Sequence, residues 1–261
     1  MAYLQWLSGK PVAAPLIAVV GNALKLKVLP ASTNESLPLT IELSTPAIAA
    51  AAEINNRVAA NFTTFTLRAL MVGQTMLTIR SQGRVVAGPL VVKVQPVLTL
   101  PDASTEAGLL ARLLLAEAPN PILVSREAVP QIAESMELMR VVVENRRARP
   151  SARWGSQGAR SLSDVVRARG QFHGFGAYPT IAGDVASNIN TILKVANDAA
   201  DQRQPALRAH VEKVLEIARG PRPADPTGGK LFWWRTAGSG APSSEVQIYR
   251  TLAGNSFYRE R

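Results

Sequence analysis

Residues 99–118 read Thr99-Leu-Pro-Asp-Ala-Ser-Thr-Glu-Ala-Gly-Leu-Leu-Ala-Arg-Leu-Leu-Leu-Ala-Glu-Ala118, and within them the hydrophobic period changes. Leu110, Leu113, Leu114 and Glu117 fall at i, i+3, i+4 and i+7, which is one face of a helix. Pro119 and Pro121 close that helix, because proline has no amide hydrogen to donate to a preceding turn. Upstream the period is two. Leu24-Lys-Leu-Lys-Val28 and the run Leu37 to Leu43 alternate, and apolar runs from Phe65, Thr75 and Pro89 follow, with Gly73, Gly83 and Gly88 near the breaks. Pro96 and Pro101 bracket a linker. The change of period divides the chain into a β-patterned part, residues 1–98, and a helix-patterned part, residues 102–261.

Short alternating segments separated by turn residues are the pattern of a small β-sandwich. The first part, most of all the run from Phe65 to Val94, resembles bacterial immunoglobulin-like domains. The alanine-rich segment Ala47 to Ala60 fits a helix or a strand equally. Beyond the linker, a second helix is expected from about Pro130 to Arg147, with Ile132, Met136, Met139 and Val143 as its apolar stripe. A shorter one follows Ser161 or Ser163, either of which can cap it. Two more fit Gly183 to Asp201 and Pro205 to Arg219, the latter stopped by Gly220. Leu231-Phe-Trp-Trp-Arg and Val246-Gln-Ile-Tyr return to β character. The expected fold class is α+β and multidomain: an all-β immunoglobulin-like sandwich, then a mainly α domain with a small β element.

Composition narrows the chemistry. The 261 residues carry 29 Lys+Arg against 19 Asp+Glu, a net charge of +10. Such a balance suits a polyanionic partner, whether nucleic acid or an anionic bacterial envelope, or simply keeps the protein soluble. Arg146, Arg147 and Arg149 cluster, but no nucleic-acid motif accompanies them, so no nucleic-acid partner is expected. The absence of cysteine excludes disulfides and thiolate metal sites. His173 and His210 are the only histidines and form no HExxH pair, so neither a metal nor any other cofactor is expected. The first residues lack the pattern of a secretory signal peptide. No apolar run approaches the roughly 18 residues of a membrane span.

Glu117 ends an otherwise apolar stripe. Desolvation of its carboxyl raises the pKa, and the negative end of the helix acts in the same direction. Both favour a protonated acid near neutral pH, the state a general acid needs to protonate a glycosidic oxygen. A boundary glutamate turned into solvent satisfies the periodicity as well.

Several further segments carry a family resemblance. Ala111-Arg-Leu-Leu-Leu-Ala-Glu-Ala118 is similar to the opening motif of the cell wall hydrolase family that includes the spore-cortex-lytic enzymes, whose catalytic domain begins with a helix ending in Glu-Ala. That family's second helix closes on Asn-Arg, matched here by Asn145-Arg146. Its Gly-Gln-Phe is matched by Gly170-Gln171-Phe172. Its Asp-Pro-Thr-Gly-Gly stretch, running into an aromatic strand, is matched by Asp225-Pro-Thr-Gly-Gly-Lys-Leu-Phe-Trp-Trp234. Its closing Phe-Tyr pair is matched by Phe257-Tyr258. The Gly-Glu-Pro that usually follows the catalytic Glu-Ala is replaced by Pro119-Asn-Pro-Ile-Leu-Val-Ser-Arg-Glu127, and extra residues including Trp154 could line an enlarged groove.

The resemblance implies a lysozyme-like catalytic domain that cuts the glycan strands of peptidoglycan, as a lytic transglycosylase or a muramidase, with Glu117 as acid and base. Asn145 then contacts a sugar N-acetyl group or caps its helix. Gln171 and Phe172 line the groove or anchor a loop. Phe232 and Trp234 share one strand face, from which a ring can stack on sugar, and Tyr258 bonds near Glu117 or packs the core. His173 donates to substrate or faces solvent. Arg146 pairs structurally with a carboxylate. A two-carboxylate hydrolase would draw its second group from Glu127, Glu134 or Asp164. The implied place of action is the periplasm or cell wall after secretion. Without a signal peptide, delivery by a type VI secretion system fits, with a secretion-system component and an immunity protein as partners, as does a phage lysis or tail-associated enzyme. An amidase acting on the stem peptide and a non-catalytic wall-binding protein are the alternatives.

Overall fold

The computed structural model describes residues 3–30 and 38–261. It forms two compact units, Met1–Val97 with Asn197–Gln204, and Leu98–Ala196 with Pro205–Arg261.

Among the described residues the first unit holds eight strands: β1 (Tyr3–Trp6), β2 (Leu16–Val19), β3 (Ala23–Leu29), β4 (Leu39–Leu43), β5 (Ala49–Arg57), β6 (Phe62–Ala69), β7 (Gly73–Ser81) and β8 (Arg84–Gln95). They pair as two sheets of order β1-β3-β6-β5 and β2-β8-β7-β4. In β3 the alternation read from sequence separates buried Leu24, Leu26 and Val28 from outward Lys25 and Lys27. These leucines pack with Phe65 and Leu67 of the same sheet and with Leu77, Ile79, Val92 and Val94 of the other. The strand expected from Leu37 begins at Leu39, Leu37 lying outside the described residues. The alanine-rich segment is a strand, β5. Alanine favours helix intrinsically, but pairing with β6 decides the matter. A register shift between Ala52 and Asn55 puts Glu53 at φ +53°, where its carboxylate accepts from Thr66 (2.7 Å) and Arg68 (2.9 Å).

The second unit contains α1 (Glu106–Glu117), α2 (Gln131–Ala148), α3 (Leu162–Arg167), α4 (Gly183–Ala196), α5 (Gln204–Arg219), β9 (Leu231–Thr236), β10 (Val246–Leu252) and β11 (Asn255–Glu260). Its sheet has the order β10-β11-β9, antiparallel throughout. Ser161 caps α3, with Asp164 completing a capping box. The fourth helix stops at Ala196, short of Asp201. Asp198 and Asp201 accept from the backbone amides of Ala200 (3.0 Å) and Arg203 (2.8 Å), turns that compete with helix continuation.

This architecture corrects the expected fold class. Among the described residues there are eleven strands in three sheets and five α-helices, 29% helical and 31% strand. That is a mixed fold, and not a clear immunoglobulin sandwich followed by a mainly helical, lysozyme-like domain. Two physical reasons account for the difference. Alternation reports that a strand has one buried face, not which neighbour it pairs with, and β2 runs parallel to β8 more than 70 residues away. The C-terminal sheet, moreover, is no small appendage. It buries Leu231, Phe232, Phe257 and Tyr258 almost completely.

Helix α1 begins where Thr105 Oγ1 accepts from the Gly108 amide at 3.0 Å. Gly108 lies so close to the linker that an added Cβ would stand 1.8 Å from the Asp102 carbonyl oxygen. Gly108→Ala is therefore expected to destabilise the protein by at least about 1–3 kcal/mol, the usual cost of forcing a methyl into packed structure. Urea denaturation of the two chains measures it.

Candidate active site

Glu117 is the last residue of α1 and is half-buried. The leucines before it fill the core, so its carboxyl starts from a poorly hydrated position. Burial raises its pKa above the ordinary glutamate value. A hydrogen bond from the Trp234 side chain and the nearby His173 oppose that rise without cancelling it. Trp234→Phe removes the hydrogen bond that favours the charged form. The Glu117 carboxyl is then expected to titrate at higher pH than in the parent chain, as followed by carboxyl carbon NMR.

Four of the expected residues gather here. Trp234, on β9, packs its ring against Phe172 with centroids 5.4 Å apart. Phe172 is buried beside the Arg146 guanidinium, 5.7 Å from the ring centroid. Arg146 Nη1 donates to Gln171 Oε1 at 2.9 Å. Gln171 in turn lies against Gly155, where a Cβ would come within 2.2 Å of its Nε2. Only glycine at 155, with φ +68°, leaves the amide in place. His173 is exposed, with its Nε2 2.8 Å from Asp184 Oδ2. Its position next to Gln171-Phe172 was the one sequence signal for it. Nothing in the sequence singled out Gly155 or Asp184.

The structure holds Asn145 and Tyr258 inside the fold. Asn145 Nδ2 donates to Asp225 Oδ2 (2.7 Å) and to the Leu231 carbonyl (2.9 Å), while its Oδ1 accepts from Arg222. Both amide hydrogens are spent inside the fold, so the geometry is that of a clamp on β9. Tyr258 is 1% exposed and donates to the Gly240 carbonyl at 2.9 Å, a core residue with a satisfied hydroxyl. The Asp225-Pro-Thr-Gly-Gly stretch is likewise architectural. Burial alone would raise the Asp225 carboxyl, but hydrogen bonds from Asn145, Thr227 and Gly229 outweigh it and hold the pKa below the usual range.

Three further expectations are corrected. Phe232 and Trp234 do not share a face. The pairing of β11 with β9 shifts between Tyr258 and Arg259, and this irregularity lets Phe232 and Trp233 both contact Trp154, at 4.1 and 5.6 Å. Trp154 lines no groove: it is 4% exposed and donates to the Arg149 carbonyl. Arg146 bonds to the Gln171 amide oxygen and the Phe232 carbonyl (2.7 Å) in place of a carboxylate. Burial lowers its pKa to about 10, which leaves it charged at neutral pH.

The candidate second carboxylates are engaged elsewhere. Asp164 accepts from the Arg160 and Ser161 amides, Glu134 pairs with Arg250, and Glu127 is exposed and bonded to Ser125. Among the described residues no group of three or more His, Cys, Asp or Glu could hold a metal ion, and no helix is long and apolar enough to cross a membrane.

No protein-family model matches the chain, and no curated protein gives a significant match. Among solved structures it is similar to domains 4 and 5 of the S-layer protein SbsC, at 16% identity and a TM-score of 0.27 over 31% of this chain and 47% of that one. It is also similar to the Yersinia pseudotuberculosis adhesin InvE, at 18% identity and a TM-score of 0.25 over 36% of this chain and 26% of that one. The chain spans less than half the length of these structures. Likenesses this slight establish neither fold nor function.

Proposed function

We propose that the protein cuts peptidoglycan glycan strands as a lytic transglycosylase, with Glu117 as its acid and base. The observation that carries this reading is the half-buried Glu117 carboxyl, biased toward its protonated form and set beside the Trp234 ring. A protonated carboxyl can give its proton to the glycosidic oxygen leaving N-acetylmuramic acid. The carboxylate so formed takes a proton from the muramic acid's own hydroxyl, whose oxygen closes on the anomeric carbon. The product is an anhydro sugar. The chemistry asks for one carboxyl, which agrees with the engagement of Glu127, Glu134 and Asp164 elsewhere.

Trp234 and Gln171 offer a ring face and an amide to the sugar, with Phe172 and Arg146 fixing their positions. Asn145 and Tyr258 serve the site by holding β9 and β11. Peptidoglycan is the substrate in this reading, and the place of action is the periplasm or cell wall. Digestion of purified peptidoglycan by the full chain, followed by mass analysis, tests it. Anhydromuropeptides are expected. Free stem peptides would show an amidase, and intact sacculi retaining bound protein would show a wall-binding protein without activity.

A further inference from the structure

The first unit holds a cavity of about 570 Å³, with Trp6, Lys10, Pro11, Ala23, Lys25 and Gln202 among its walls. That volume falls within the ~300–1,000 Å³ of small-molecule sites. Three stretches of chain build it. β1 ends at Trp6, and Gly9, at φ +85°, helps to turn the chain so that the Trp6 amide donates to the Lys10 carbonyl at 2.8 Å. Trp6 pairs with Leu26 of β3, and the Leu7 amide donates to the Lys25 carbonyl at 3.3 Å, which sets Lys25 beside the turn. Residues 197–204 bring Gln202. The Asn22 side chain donates to the Asn197 carbonyl (3.0 Å) and accepts from the Ala199 amide (3.0 Å), fixing that segment against the strands.

Trp6 packs against the core of this unit yet stays half-exposed, while Lys10, Lys25 and Gln202 are exposed. The acids that could neutralise the lysines are engaged. Glu53, close enough to Lys25 to feel its charge, accepts from Thr66 and Arg68. Asp201 pairs with Arg203 at 2.7 Å, and Asp198 accepts from the Ala200 amide at 3.0 Å. The walls therefore combine an aromatic ring, two ammonium groups and a side-chain amide.

We propose that this cavity binds an acidic oligosaccharide, with a sugar stacked on Trp6, a carboxylate held by Lys10 and Lys25 and a hydroxyl bonded to Gln202. The face of an indole ring is electron-rich and attracts the slightly positive C–H groups on one side of a sugar. The two ammonium groups select negative charge. The amide, which both donates and accepts, favours a hydroxylated body over a bare hydrocarbon one. The site shares no residue with the Glu117 cluster, so it stands whether or not the protein cuts peptidoglycan.

Titration of the full chain with trigalacturonate and with the neutral maltotriose, followed by the Trp6 indole N–H resonance, tests the proposal. The expected result is saturable binding of trigalacturonate, about tenfold tighter than maltotriose at low salt, the factor that two exposed charge contacts of ordinary strength supply. Raising NaCl from about 0.05 M to about 0.5 M is expected to shrink the gap to less than about threefold, because exposed charges are screened. Lys10→Gln with Lys25→Gln, both at exposed positions, is expected to reduce the preference to less than about twofold. Ala23→Glu, also exposed, puts an opposing charge in the wall and is expected to abolish trigalacturonate binding. 1-Naphthoate, an anion without hydroxyls, is expected to bind more weakly than trigalacturonate. Equal affinity for the two trisaccharides in the parent chain, a gap indifferent to salt, an unchanged preference in the lysine double variant, undiminished binding in Ala23→Glu, tighter binding of 1-naphthoate, or the absence of saturable binding would each overturn the proposal.

Discussion

Glu117→Gln is expected to lower anhydromuropeptide release from purified peptidoglycan by about 10²–10⁴-fold, the range a positioned acid–base group contributes. Glutamine keeps the shape of the side chain and can still accept the Trp234 hydrogen bond, but it has no proton to give the leaving oxygen. The same substitution removes an ionisable group from a poorly hydrated position, so the folded state has no reason to weaken at neutral pH. Activity and stability therefore separate: the thermal midpoint is expected to hold or rise while activity falls. Lysis by Glu117→Gln at the parental rate would defeat the proposed role. A parallel fall in midpoint and activity would assign the residue to folding instead. Glu134→Gln provides the contrast. Its carboxylate pairs with Arg250 at the surface, and activity is expected to stay within about twofold of the parent, since exposed pairs contribute little.

What the sequence made legible follows from where local rules decide. The 3.6-residue period placed α1, and proline chemistry ended it at Glu117, because both act within a few residues. A serine cap before α3 was readable for the same reason, although sequence left Ser161 and Ser163 equal and the structure selects Ser161. The spatial gathering of Gln171, Phe172, Trp234 and Glu117 was not in the periodicity at all. Long-range choices stayed hidden. The parallel pairing of β2 with β8 leaves no mark in either segment. Neither does the irregularity that turns Phe232 away from Trp234, although one shifted register reassigns a whole aromatic face. Asn145 read equally well as a sugar ligand or a cap because its partners, Asp225 and Leu231, lie 80 and 86 residues away.

Asn145→Asp is expected to destabilise the protein by about 3–5 kcal/mol, the cost of a buried charge left without its complement. In the parent, the amide nitrogen bridges two oxygens, Asp225 Oδ2 and the Leu231 carbonyl. Aspartate replaces that double donor with a third oxygen, so two carboxylates and a carbonyl converge in a site that is 3% exposed. Arg222 still has an acceptor, which softens the effect without supplying the missing donors. Asn145→Ala takes a donor from each of the same two oxygens, of which Asp225 Oδ2 keeps the Gly229 amide, and adds no charge, so its expected cost is smaller, about 1–3 kcal/mol. The order matters more than either value. A residue whose work is to bind sugar at the surface would tolerate both changes in the unliganded protein and lose only substrate affinity. A clamp between α2 and the start of β9 loses stability in the order aspartate, then alanine. The aspartate variant is expected to recover part of its deficit as pH falls, because protonating either carboxyl relieves the repulsion. Urea denaturation at pH 7 and pH 5 reads both the order and the recovery. Equal stability of the parent and aspartate chains at pH 7 would sink the clamp assignment.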